Sequence, residues 1–174
     1  MLNPHLAPAL TKALSLRPEE RRSVAGARGG GVVLLGIGSE LRSDDGAGIR
    51  VAERVEALRL PGVTALAGGS APENLTGEIR RLSPSLLIIV DAADMALPPG
   101  TVRLLEPAEI GGMAFSTHTL PLTVLADYLQ KETGCSVLIL GIQPRSLEFD
   151  GALSAEAASA VEEIVQALLT CLSP

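Results

Sequence analysis

Apolar runs of strand length alternate along this chain with stretches in which apolar residues recur every three or four positions. Val32-Val33-Leu34-Leu35 leads into Gly36-Ile37-Gly38, a shorter run covers 63–67, Leu86-Leu87-Ile88-Ile89-Val90 ends at Asp91, and a fourth run covers 137–140. Unbroken runs of this length mark strands buried on both faces, the habit of parallel sheets. Residues 101–105 have the pattern of an edge strand. Ile49, Ala52, Val55 and Leu58 predict a helix over 45–60, capped by Ser43 or Asp44 and ended by Pro61-Gly62. Further helices are predicted over 75–82, broken by Ser83-Pro84, and over 120–132, where Val124, Leu125, Tyr128 and Leu129 form the apolar stripe and Pro121 sits in the first turn. Val161, Ile164, Val165, Leu168 and Leu172 mark a C-terminal helix.

Strands alternating with helices imply right-handed crossovers and a sheet covered on both faces. The predicted fold is α/β: a three-layer αβα sandwich around a five-stranded, mostly parallel twisted sheet. Strand order is not legible at this level. With 174 residues there is room for one domain, assigned to 31–174. Residues 1–30 combine a short helical stretch over 6–16 with Arg-Pro-Glu-Glu-Arg-Arg and Gly29-Gly30-Gly31, and are expected to form a flexible N-terminal extension with His5 in solvent.

Composition narrows the partners. Fourteen Lys plus Arg against twenty Asp plus Glu gives a net charge of −6, and aromatics make up only 2%, so neither phosphate contacts nor base stacking favour a nucleic acid. The apolar runs fall well short of the roughly 20 residues that span a bilayer. No secretory pattern opens the chain, so a cytoplasmic location is expected. Cys135 and Cys171 read as small hydrophobes without redox chemistry.

Three polar residues stand out against this frame. Asp91 closes the third apolar run, Asp45 follows the glycine turn after the first, and His118, within Ser116-Thr117-His118-Thr119, precedes the third helix. Open α/β sheets bind ligands outside the carboxyl ends of their strands. Two carboxylates and an imidazole at that edge suit zinc or nickel, and the same groups can serve as general acid or base. The residues alone equally permit Asp45 as a helix cap, Asp91 as a turn former and His118 as a surface or cap residue. Gly36-Ile37-Gly38 is not a dinucleotide fingerprint, because the third glycine would fall at Leu41 and Asp44-Asp45 would repel a pyrophosphate. There is no phosphate loop and no glycine-flanked serine elbow for Ser39, Ser70, Ser116 or Cys135. Gly68-Gly69-Ser70 reads as a turn that lets backbone N–H groups approach a ligand.

Five segments in order carry a resemblance: Leu35-Gly36-Ile37-Gly38-Ser39-Glu40-Leu41-Arg42-Ser43-Asp44-Asp45-Gly46-Ala47-Gly48, Gly69-Ser70-Ala71-Pro72-Glu73-Asn74, Ile89-Val90-Asp91-Ala92-Ala93-Asp94-Met95, Thr117-His118-Thr119-Leu120-Pro121 and Leu140-Gly141-Ile142-Gln143-Pro144. Together they resemble the nickel-iron hydrogenase maturation endopeptidases, in particular the branch serving formate-linked hydrogenases. The resemblance implies removal of a C-terminal extension from the hydrogenase large-subunit precursor after nickel insertion. It further implies that two carboxylates and a histidine recognise the metal, at Asp45, Asp91 and His118 here. Those three are also the candidate catalytic residues, with Asp45 the candidate general base. On this reading the nickel arrives with the precursor, cadmium or zinc can replace it in crystals, and the enzyme acts as a monomer without membrane or nucleic acid. Alternatives are a zinc peptidase that keeps its own ion and a nickel-binding chaperone without hydrolysis. Two positions depart from the family pattern: Ser39, where Asn is usual, and Ala67, where an Asp is frequent.

Overall fold

Val32–Ile37 forms the first strand as its apolar run predicts, and all of its residues are buried. The computed structural model describes residues 8, 10–11, 30–105, 114–115 (as backbone), 121–149 and 151–172. In chain order they form β1 (Val32–Ile37), a 3-10 turn (Ser43–Gly46), α1 (Ala47–Leu58), β2 (Val63–Gly69), a second 3-10 turn (Pro72–Leu75), α2 (Thr76–Leu82), β3 (Leu86–Asp94), β4 (Val102–Leu105), β5 (Ala114–Phe115), α3 (Leu122–Thr133), β6 (Ser136–Ile142) and α4 (Ala155–Leu172).

The main sheet has the order β2-β1-β3-β6-β4. β1, β2, β3 and β6 run parallel, whereas β4 pairs antiparallel with β6 at the edge. Strand alternation divides the core into two halves. Val32, Leu34, Ile88, Val90 and Leu140 face α1 and α4, meeting Val51, Val55, Ile164 and Leu168. Val33, Leu35, Leu87 and Ile89 face α2 and α3, meeting Ile79, Leu122, Leu125 and Leu129. Each such side chain contributes about 1.5–3 kcal/mol on full burial. This is the three-layer sandwich that the pattern predicts. No helix among the described residues is long and apolar enough to cross a membrane.

Several local expectations are corrected. The first helix is tighter at its start and shorter at its end than 45–60, because the chain enters through a 3-10 turn and Arg59 turns left-handed (φ 49°) before Pro61-Gly62 is reached. Neither Ser43 nor Asp44 caps it: no side-chain cap bond is made, and both side chains reach to another loop. Asp91 does not end its strand. β3 continues to Asp94 because β6 runs alongside it through the pairs Asp91↔Gly141 and Ala92↔Ile142, and β5 pairs with its last residues. Pro121 caps α3 from outside rather than lying in its first turn. Of residues 1–29, only Pro8, Leu10 and Thr11 are described. There, Leu10 is fully buried in the α1/α4 half of the core and the Thr11 hydroxyl lies 3.2 Å from the Cys171 thiol, while the rest of the expected extension, His5 included, lies outside the described residues.

Candidate active site

The order β2-β1-β3 creates a topological switch point. The connection leaving β1 leads through α1 to β2 on one side, while β3, on the other side of β1, sends the chain away toward β4. A crevice opens where such connections diverge, at the carboxyl ends of the strands. Asp45 lies in the connection after β1, and Asp91 lies in β3 one residue beyond Val90, which pairs with Gly36.

Glycine lets the connection press onto the strand ends. A Cβ on Gly48 would stand 2.3 Å from the Val90 carbonyl oxygen and 2.4 Å from that of Ile37, so the first turn of α1 sits across β1 and β3 together. Gly38, at φ +133°, receives the Asp45 carbonyl where a Cβ would lie only 1.7 Å away. No other residue type fits such contacts without moving the backbone. Its N–H donates to the Gly69 carbonyl (3.1 Å), which joins the β2 loop to the same floor.

Adjacent acids then take different roles. Asp44 is fully buried and its carboxylate accepts the Arg145 N–H (2.7 Å) and Ser146 N–H (3.4 Å) at Oδ2, the Ser154 N–H at Oδ1 (2.6 Å) and the Ser154 hydroxyl at Oδ2 (2.8 Å). The Ser154 hydroxyl in turn accepts the Ala157 N–H (3.1 Å), as an N-cap does, so Asp44 rests on the amino end of α4. Asp45 is also fully buried, yet neither of its carboxylate oxygens has a hydrogen-bond partner among the described residues. Buried polar groups are nearly always satisfied, and a buried carboxylate is among the costliest to leave bare.

Asp91 is fully buried as well, and its Oδ1 accepts the Ala92 N–H (2.8 Å). The structure thus brings two of the three predicted residues to one edge. His118 lies outside the described residues. Among the described residues, no three or more His, Cys, Asp and Glu side chains are grouped to hold a metal ion.

Two organising residues escape the sequence reading. Gln143 is buried, and its Oε1 accepts the N–H groups of Met95 (2.7 Å) and Leu97 (3.3 Å), while its Nε2 donates to Asp94 Oδ1 (3.2 Å), which shapes the chain after β3. The other is Ser154, whose position before a strongly periodic helix is the signal of an N-cap. The departures from the family pattern fall beside the crevice: Ser39 serves its turn through its carbonyl, which accepts the Arg42 N–H (3.1 Å), and Ala67 is exposed next to Gly36.

Fold and site define an α/β protein with buried carboxylates at the switch point of its sheet. A family model described as HycI, hydrogenase maturation protease, matches residues 49–171. The hydrogenase 3 maturation protease of Escherichia coli (strain K12) is 42% identical over 137 residues, covering 78% of this chain and 87% of that protein. A NiFe hydrogenase maturation protease HycI from Thermococcus kodakarensis KOD1, known from its crystal structure, superposes with a TM-score of 0.75 at 33% identity, covering 82% of this chain and 92% of that one. The solution structure of the endopeptidase HycI from Escherichia coli gives a TM-score of 0.71 at 41% identity over 78% and 87% of the two chains. The chain belongs to the hydrogenase maturation protease family, and it is a peptidase.

Proposed function

We propose that this peptidase removes a C-terminal extension from a nickel-iron hydrogenase large-subunit precursor once nickel has been inserted, and that the nickel is part of the substrate. The observation that carries this reading is the fully buried Asp45 carboxylate without a hydrogen-bond partner among the described residues, placed at the same sheet edge as Asp91. A site that kept its own hydrogen bonds would gain little from a cation. One that leaves a carboxylate bare gains most when the cation arrives with the substrate.

Asp45, Asp91 and His118 together offer two oxygens and one imidazole nitrogen, a donor set for a borderline divalent ion. Binding that exists only with the metal in place positions the scissile peptide and makes processing conditional on nickel loading. The desolvated Asp45 carboxylate is the group assigned to accept a proton from the attacking water. The enzyme acts on this reading as a monomer in the cytoplasm, and cadmium or zinc serve as probes of the same donor set.

The test compares nickel-loaded with nickel-free precursor. Cleavage is expected only of the loaded form, and Asp45→Ala, Asp91→Ala and His118→Ala are each expected to abolish it. Equal cleavage of loaded and empty precursor overturns the reading.

A further inference from the structure

Six large hydrophobic side chains are exposed among the described residues, and the two that stand out furthest, Phe149 at 71% and Leu41 at 68%, lie on the two loops that meet beside Asp45. These loops are not loose. The Arg42 Nε donates to the Leu147 carbonyl (3.1 Å), the Ser43 hydroxyl donates to the Ala152 carbonyl (3.1 Å), and the Asp44 carboxylate ties down the N–H groups of Arg145 and Ser154. Phe149 carries the Arg42 guanidinium over its ring, 5.4 Å from the centroid. Arg42 itself has no carboxylate partner among the described residues. Apolar side chains held out in water by tied-down loops are available to a partner's surface. A cleft of about 300 Å³, lined by Glu40, Ser43, Arg50, Ala152 and Leu153 among others, adjoins the same loops.

We propose that Leu41, Arg42 and Phe149 form the surface that docks the folded body of the precursor, apart from the peptide that is cut. Leu41 and Arg42 stand on the same turn as Asp45, the Arg42 carbonyl accepting the Asp45 N–H (2.9 Å), so a body seated there holds its C-terminal segment near the residues of the candidate site. Its chemistry specifies the complement: an apolar hollow for Leu41 and Phe149, rimmed by carboxylates that pair with Arg42. Aromatic and arginine side chains are the commonest anchors of such interfaces. The proposal rests on the reading of the protein as a precursor-processing peptidase and names the face it uses.

The test pairs L41S/F149S with the charge variants F149E and F149K, using nickel-loaded precursor as probe and reading KM, kcat, the dissociation constant for the precursor, cadmium binding and thermal stability. The double variant is expected to raise KM and the dissociation constant by at least about ten-fold, the order seen when interface anchors are truncated. Its kcat, cadmium affinity and unfolding temperature should stay close to wild type, and F149E should bind more weakly than F149K. A KM and dissociation constant within two-fold of wild type overturn the proposal. So does a concentration-dependent dimer of the wild type that the double variant loses, which assigns the face to a second copy of the chain. If the wild type binds precursor without cutting it, the peptidase reading of this substrate fails, while the ratio of dissociation constants still decides the docking face. A wild type that does not bind precursor overturns both.

Discussion

Ser154 holds the Asp44 carboxylate by two bonds, its N–H to Oδ1 at 2.6 Å and its hydroxyl to Oδ2 at 2.8 Å, across 110 residues of chain. The same hydroxyl caps α4 by accepting the Ala157 N–H. A short acidic segment after β1 is thereby fastened to the amino end of the last helix, while the carboxylate of the next residue, Asp45, is buried without a hydrogen-bond partner among the described residues.

The fastening predicts a stability hierarchy. Ser154→Ala removes one cap and one donor and is expected to cost about 1–2 kcal/mol. Asp44→Ala leaves several buried donors without an acceptor and is expected to cost about 3 kcal/mol or more. For a domain of this size each kcal/mol lowers the melting temperature by roughly 2–4 °C. Thermal unfolding of the two single variants and the double variant checks this, and the double variant should fall short of the sum because the pair acts as one unit. Unchanged melting in Asp44→Ala refutes the clamp.

The bare Asp45 carboxylate predicts the opposite sign at the neighbouring position. Asp45→Asn replaces a buried carboxylate that finds no donor among the described residues, so the metal-free protein is expected to gain about 1–3 kcal/mol even as metal recognition is lost. Urea denaturation beside a cadmium titration measures both. A destabilised Asp45→Asn protein means that the carboxylate has a structural partner.

Cys135 is fully buried, and burial pushes its thiol up, with the Thr133 side chain opposing more weakly. A thiol raised in the folded state leaves stability intact below the ordinary thiol range and erodes it as pH climbs through the folded value. Stability of the wild type is therefore expected to decline on the alkaline side more steeply than that of Cys135→Ala, as followed by denaturant midpoints from neutral to alkaline pH. Parallel declines refute the assignment. Alkylation should also modify the half-buried Cys171 before Cys135.

Some of this was legible because the signals are local. Val32–Ile37 and Leu86–Val90 are apolar at every position, and a strand buried on both faces needs nothing beyond its own run to be recognised. The end of β3 was not legible: Asp91 stops the apolar run, but pairing with Gly141 and Ile142 of β6 carries the strand to Asp94. Ser43 and Asp44 had the composition of a helix cap for α1, and Asp44 does sit at a helix start, that of α4. Propensity named the kind of bond and could not name the helix.

By itself the sequence determined the layers of this protein, the alternation that turns each strand toward two helical faces, and the placing of Asp45 and Asp91 near strand ends, since these follow from side-chain period and from residues a few positions apart. Tertiary structure alone decided the strand order that sets β1 beside β3, the antiparallel edge at β4, and which of two adjacent aspartates is consumed by structure. The physical reason is that the donors to Asp44 come from 101 to 110 residues away. Only after β6 and α4 have packed is its carboxylate satisfied and that of Asp45 left without a partner among the described residues.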